Sequence, residues 1–175
     1  MKRLSVLAVG FALLTAGCGS SSSGTPAPTP VAGPNMFTAS LSPANEVPPI
    51  TNVESTVNGV VNITLNTTKD SAGNITSAAA TFAVTLGGFP STSVINIAHI
   101  HEGAATCACP VVVNTTLAPG QVTVSNGLAS FTKDAITVDP AVAQRLIANP
   151  SGFYFNVHTA LNAGGVARGT LTKTQ

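Results

Sequence analysis

The chain has 175 residues, of which 44% are hydrophobic, 7% charged and 5% aromatic, with a formal net charge of +1. Lys2 and Arg3 stand at the extreme N-terminus, and beyond them five bases face six acids, a net of −1. That balance excludes a nucleic-acid partner bound by neutralising many phosphates, and the apolar share excludes disorder of the whole chain.

In chain order, the first element is a leader. Lys2-Arg3, the apolar run from Leu4 to Leu14 and the small residues before Cys18 predict an export signal over residues 1–17, too short to span a bilayer comfortably. The stretch Leu14-Thr15-Ala16-Gly17-Cys18 resembles a lipobox, with Thr15 where Leu, Val or Ile is usual. That resemblance implies that Cys18 is acylated on its thiol and becomes the new N-terminus. A plain secretory peptide is the alternative. Residues 18–35 read as the lipidated Cys followed by a Ser/Pro-rich tether, with Ser20-Ser21-Ser22-Ser23 and Pro26-Ala27-Pro28-Thr29-Pro30, a composition that builds no core. The expected address is the cell envelope, with the domain held to a membrane by the Cys18 lipid and facing the periplasm or the exterior.

The working domain is expected over residues 36–175. Val57, Gly59, Val61, Ile63 and Leu65 alternate with Asn58, Val60, Asn62, Thr64 and Asn66, and Ala78, Ala80, Phe82, Val84 and Leu86 with Ala79, Thr81, Ala83 and Thr85, the pattern of strands with one buried face. Further strands are expected at 94–101, 111–115, 122–124, 128–131, 153–158 and 166–172. Ser125-Asn126-Gly127 carries the best hairpin signal. One helix interrupts the series: Asp139 caps it, Pro140 suits its first position, and Asn149-Pro150 stops it. The fold class is all-β, an antiparallel β-sandwich with Greek-key connections and one short helix, with a closed up-and-down barrel as the alternative.

Four motifs, taken in order, resemble the CHRD domain, named for repeats in the animal extracellular protein chordin and found singly in bacterial secreted proteins. They are the opening Phe37 to Pro49 with its Glu46-Val47-Pro48-Pro49 core, Gly59 with its strand, Ala98-His99-Ile100-His101-Glu102-Gly103, and Tyr154 to Thr159 continuing through Gly164-Gly165 to Arg168-Gly169. The resemblance spans about residues 36 to 173 and implies an extracytoplasmic immunoglobulin-like sandwich serving as a binding or structural module; it brings no enzymatic activity with it, and an enzyme is the minority reading. One segment departs from the family pattern: Ala104-Ala105-Thr106-Cys107-Ala108-Cys109-Pro110 carries two cysteines where Gly-rich sequence is usual.

All three histidines lie in two of these motifs. Residues two apart on a strand share a face, so His99 and His101 can approach one ion together, and the His-x-His spacing resembles that of the superoxide dismutase β-sandwich. With His158 they form a candidate mononuclear copper or zinc site, helped by Glu46 or Glu102, with redox activity as a further reading. The alternative is that the imidazoles hydrogen-bond loops at the rim. Glu46 and Arg168 are candidates for an internal tie between the first and last strands, or for a ligand-facing Arg. Cys107 and Cys109 can form a disulfide or a soft Cu(I) site. No nucleophile elbow, carboxylate pair or phosphate loop is present, and no catalytic residue is assigned. The expected function is a membrane-tethered binding or structural module for an unidentified protein or cell-envelope ligand, the alternative a metal-binding protein.

Overall fold

The computed structural model describes residues 33–175, so the expected leader, Cys18 and almost all of the tether lie outside the described residues. In chain order the elements are β1 (Asn35–Leu41), β2 (Asn58–Lys69), β3 (Ile75–Gly87), β4 (Ile95–Glu102), β5 (Val111–Asn114), β6 (Ala129–Val138), α1 (Pro140–Ala148), β7 (Phe153–Thr159), β8 (Ala167–Thr170) and β9 (Thr172–Lys173). They form a five-stranded sheet in the order β6-β3-β2-β1-β9 and a four-stranded sheet in the order β5-β4-β7-β8. Every pairing is antiparallel. The fold is therefore an all-β sandwich of two open sheets, not a closed barrel.

Period-two alternation builds the core. Val61, Ile63 and Leu65 of β2 and Ala80, Phe82, Val84 and Leu86 of β3 turn inward, while the residues between them, mostly Asn, Thr and Ala, face out. They meet Phe153, Phe155 and Val157 of β7, and the Phe82 and Phe155 rings stack across the interlayer with centroids 5.8 Å apart. Such burial is the main favourable term in folding. The chain crosses between sheets four times, from β3 to β4, β5 to β6, β6 to β7 and β8 to β9; since β3 pairs with β6 and β4 with β7, the β3–β4 and β6–β7 crossings interlock. Helix α1 makes the crossing from β6 to β7. The Ala141 and Val142 N–H groups donate to Asp139 Oδ1, and Val142, Ala143 and Leu146 face the core.

Four segments differ from the sequence expectation. Residues 35–41, read only as the opening of a motif, form β1, which pairs along its length with β2. Residues 122–124 are not a strand: Val122 is buried, but the segment has no ladder partner and only the Ser125–Leu128 bridge closes the hairpin. Asn126 and Gly127 there have φ of 51° and 75°, the left-handed pair that a two-residue turn needs. Strand β6 runs past Phe131 to Val138 because an irregularity at Ala135, φ 53°, breaks the alternation that would have revealed it. The stretch 166–172 splits at buried Leu171, with β8 in one sheet and β9 in the other.

Candidate metal centre

All seven residues of β7 are buried, although only one face of the strand looks into the core. The other face, bearing Tyr154, Asn156 and His158, is roofed by three loops: the turn ending at Glu46, the segment 105–109, and the segment 162–165. Between the second sheet and these loops lies a buried polar layer, and every histidine of the chain is in it.

The strand register explains how the histidines meet. His99 lies opposite Asn156, and Ile97 opposite His158, which sets His158 diagonal to His99 and on the same face. His99 Nε2 and His158 Nε2 are 2.8 Å apart, and ligand atoms of His99, His101 and His158 all lie within 4.8 Å of one another. The outer nitrogens are anchored to backbone: His158 Nδ1 donates to the Ala163 carbonyl at 2.8 Å and His101 Nδ1 to the Cys109 carbonyl at 2.6 Å. With protons on Nδ1, the Nε2 atoms of His158 and His101 present lone pairs. The contact between His158 and His99 then requires His99 Nε2 to donate. His101 Nε2 is buried and has no partner in the protein.

Burial depresses all three imidazoles. His99 is pushed down to about 3, first by desolvation and then by its neighbours His158 and His101. Desolvation also lowers His101 and His158; their carbonyl bonds offset part of it, and the Arg168 guanidinium adds to it. The cluster is therefore neutral at pH 7, the form that binds metal ions.

Arg168 organises the rest of the layer. Its Nε donates to Glu46 Oε2 at 2.7 Å, Nη2 lies 2.6 Å from the same oxygen, and Nη1 donates to the carbonyls of Cys107 at 2.9 Å and Ala105 at 3.2 Å. The guanidinium carbon stands 4.8 Å from the Tyr154 ring centroid. On the side of β4 the same ring stacks on His101, with centroids 4.5 Å apart and planes 8° off parallel. Tyr154 OH donates to the Cys107 carbonyl and accepts from the Cys109 N–H. The side chain is committed to internal partners rather than turned toward a ligand. The tie is not between the first and last strands, since Glu46 follows a short turn after β1 and Arg168 sits in β8. Burial raises the Glu46 carboxyl above its usual range, and Arg168 pulls it back in part.

Two other expected residues fall elsewhere or in another role. Glu102 does not assist the histidines: it follows His101 and so takes the opposite side of the strand, where both oxygens pair with Arg145 of α1 at 2.7 and 2.8 Å. Cys107 and Cys109 are joined as a disulfide with Cα atoms 5.3 Å apart, which leaves no thiolate for a soft metal. The bridge packs into the space that a side chain on Gly103, φ +143°, would need.

Some contributors carried no usable signal in the sequence. The Ala163 and Cys109 carbonyls are backbone groups of loops, and side-chain patterning does not report them. Glu54 is buried and accepts from Ser93 Oγ, Thr159 Oγ1 and Asn162 Nδ2, which holds the loop that ends at Ala163. Tyr154 and Asn156 were legible as polar members of an alternating strand, but not as members of this layer.

A profile of the CHRD domain matches residues 37–171. The chain belongs to the CHRD domain family. No curated protein and no solved structure matches it. Three of the four CHRD-like motifs converge on the polar layer: the Glu-Val-Pro-Pro segment brings Glu46, the His-x-His segment is β4, and the Tyr154 to Gly169 stretch supplies β7, the Gly164-Gly165 turn and β8. The disulfide loop forms part of the roof.

Two outcomes follow for the metal-free protein. Arg168→Ala leaves a buried carboxylate unpaired and is expected to lower stability by about 3 to 5 kcal/mol, read by chemical denaturation. Glu46→Gln, which keeps an acceptor for the guanidinium, is expected to cost less. Acid is the second probe. Because the fold holds the histidines below 6.5, the unfolded chain binds more protons as pH falls, so their contribution is full above about 6.5 and is lost on acidification, that of His99 as pH falls through about 3. The melting temperature is expected to fall across that window, and His99→Gln to flatten the slope.

Proposed function

We propose that this CHRD domain is a metal-binding module of the cell envelope, in which His99, His101 and His158 hold one copper or zinc ion through their Nε2 atoms. The observation that carries this reading is the pair of Nδ1 bonds to the Ala163 and Cys109 carbonyls, which leave the Nε2 lone pairs of His158 and His101 for an ion, while the His99 proton moves from Nε2 to Nδ1 to bare the third. A backbone carbonyl on the far nitrogen is the usual support of a metal-bound histidine, because it fixes the tautomer and the ring. Hydrogen bonding alone accounts for His99 and His158 but leaves His101 Nε2 buried and unpaired. Metal–nitrogen bonds are about 2.0 to 2.1 Å, so small side-chain shifts bring atoms already within 4.8 Å to one ion. Three neutral donors suit either metal.

The envelope address rests on the leader, the lipobox-like residues up to Cys18 and the Ser/Pro-rich tether. A lipid on Cys18 keeps the module at a membrane, where a partner protein or an envelope ligand meets it.

The test of the centre is calorimetric titration of full-length protein without a polyhistidine tag. One Cu(II) or Zn(II) per chain is expected, and His101→Gln and His158→Gln are each expected to weaken binding at least about tenfold. Absence of binding near neutral pH refutes the centre. For the anchor, Cys18→Ala is expected to abolish metabolic labelling by a fatty-acid probe; equal labelling of mutant and wild type rejects lipidation.

A further inference from the structure

Resting on the metal centre proposed above, we infer that the ion keeps one open coordination position, occupied by a water that a small anion can replace, whose hydrogens turn to Asn156 Oδ1 and Glu46 Oε1. Among the described residues, three buried side-chain atoms lack a partner in the protein: His101 Nε2, Asn156 Oδ1 and Glu46 Oε1. All three are acceptors, since the proton of His101 is on Nδ1. Buried polar atoms are nearly always paired, and a cluster of orphans in one place marks a bound group.

The three atoms belong to one layer. Asn156 stands directly across from His99 on one side and from Arg168 on the other, on the face that carries the histidines. A Cβ on Gly165 would come within 2.6 Å of Asn156 Nδ2 and 2.7 Å of both Glu46 oxygens, so amide and carboxylate crowd the same spot. Gly165 has φ +129° and leaves that spot free of a side chain.

An ion bound by three histidines satisfies His101 Nε2. It does not satisfy the other two atoms: Glu46 is outside the group of converging ligand atoms, and a neutral amide oxygen is a weak ligand for copper or zinc beside imidazoles. What they need is a proton donor. A water on a divalent ion is a strong one, because the metal raises its acidity, and three protein ligands plus a water is the coordination of an open site rather than a closed structural one. Outside the layer lies a cleft of about 330 Å³ whose wall includes Glu46, Ala163, Gly164 and Gly165. The carbonyl that anchors His158 belongs to that wall residue Ala163. Three neutral ligands leave the charge of a divalent ion uncompensated, so an anion small enough to pass the glycines competes with the water.

The experiment uses full-length protein loaded with one Cu(II) per chain and azide as the probe. An exchangeable proton coupling is expected in electron–nuclear double resonance, lost in D2O, and azide is expected to remove it and to produce a charge-transfer band. Asn156→Leu and Glu46→Gln are expected to retain copper, weaken the proton coupling and shift the azide affinity by at least about threefold, the worth of one hydrogen bond. Asn156→Leu alone suffices if Glu46→Gln does not fold. Bound copper with neither a proton coupling nor an azide response overturns the open position and leaves the three-histidine centre standing. No bound copper removes the centre itself.

Discussion

The buried pair of Arg168 and Glu46 is the constraint on which the outer half of this molecule depends. Arg168 touches each of two covering segments through a different group: its Nε and Nη2 hold the turn after β1, and its Nη1 holds the disulfide loop. The same guanidinium packs on Tyr154, which packs on His101. A histidine on β4 is thereby positioned by a charge on β8, two strands away. Arginine suits this place because its planar fork offers several donors in fixed directions and a flat face for an aromatic ring. A buried ion pair is not in itself a strong source of stability, since desolvation offsets much of the attraction. What it supplies here is the alignment of loops that otherwise have little apolar surface to bury.

The sandwich is in effect three-layered at one side. Beyond the apolar core lies a second interior that is polar, with histidine, tyrosine, asparagine, arginine and glutamate packed under loops. Such an interior is costly unless its groups are paired, and nearly all of them are. Among the described residues the exceptions are His101 Nε2, Asn156 Oδ1 and Glu46 Oε1, all in this layer.

The sequence carried the fold well where the physics is local. Alternation over Val57 to Leu65 and Ala78 to Leu86 marked the long central strands, and Asp139-Pro140 marked the helix start. It carried less where a strand is irregular or divided, as at Ala135 and Leu171, because one bulge or one change of sheet resets the period. The candidate site was half legible. His99 and His101 are two apart on one strand, so their shared face could be read directly. The approach of His158, the placing of Glu46 and the turning away of Glu102 depend on strand order and on loops that fold back from far along the chain. No spacing rule reports those. The carbonyls that orient the imidazoles are invisible to side-chain reading altogether, since any residue at 109 or 163 supplies one.

Strand β1 has a mechanical consequence. The chain enters the domain at Asn35, and β1 is not an edge strand: β2 lies along one side of it and β9 along the other. A pull applied along β1 runs perpendicular to the antiparallel hydrogen bonds that hold it. The seven residue pairs with β2 then bear the load together in shear and do not open one after another like a zipper. A load of that direction is shared across the sheet that receives the chain, and β4 and β7, which carry the histidines, lie in the other sheet, outside that line of force.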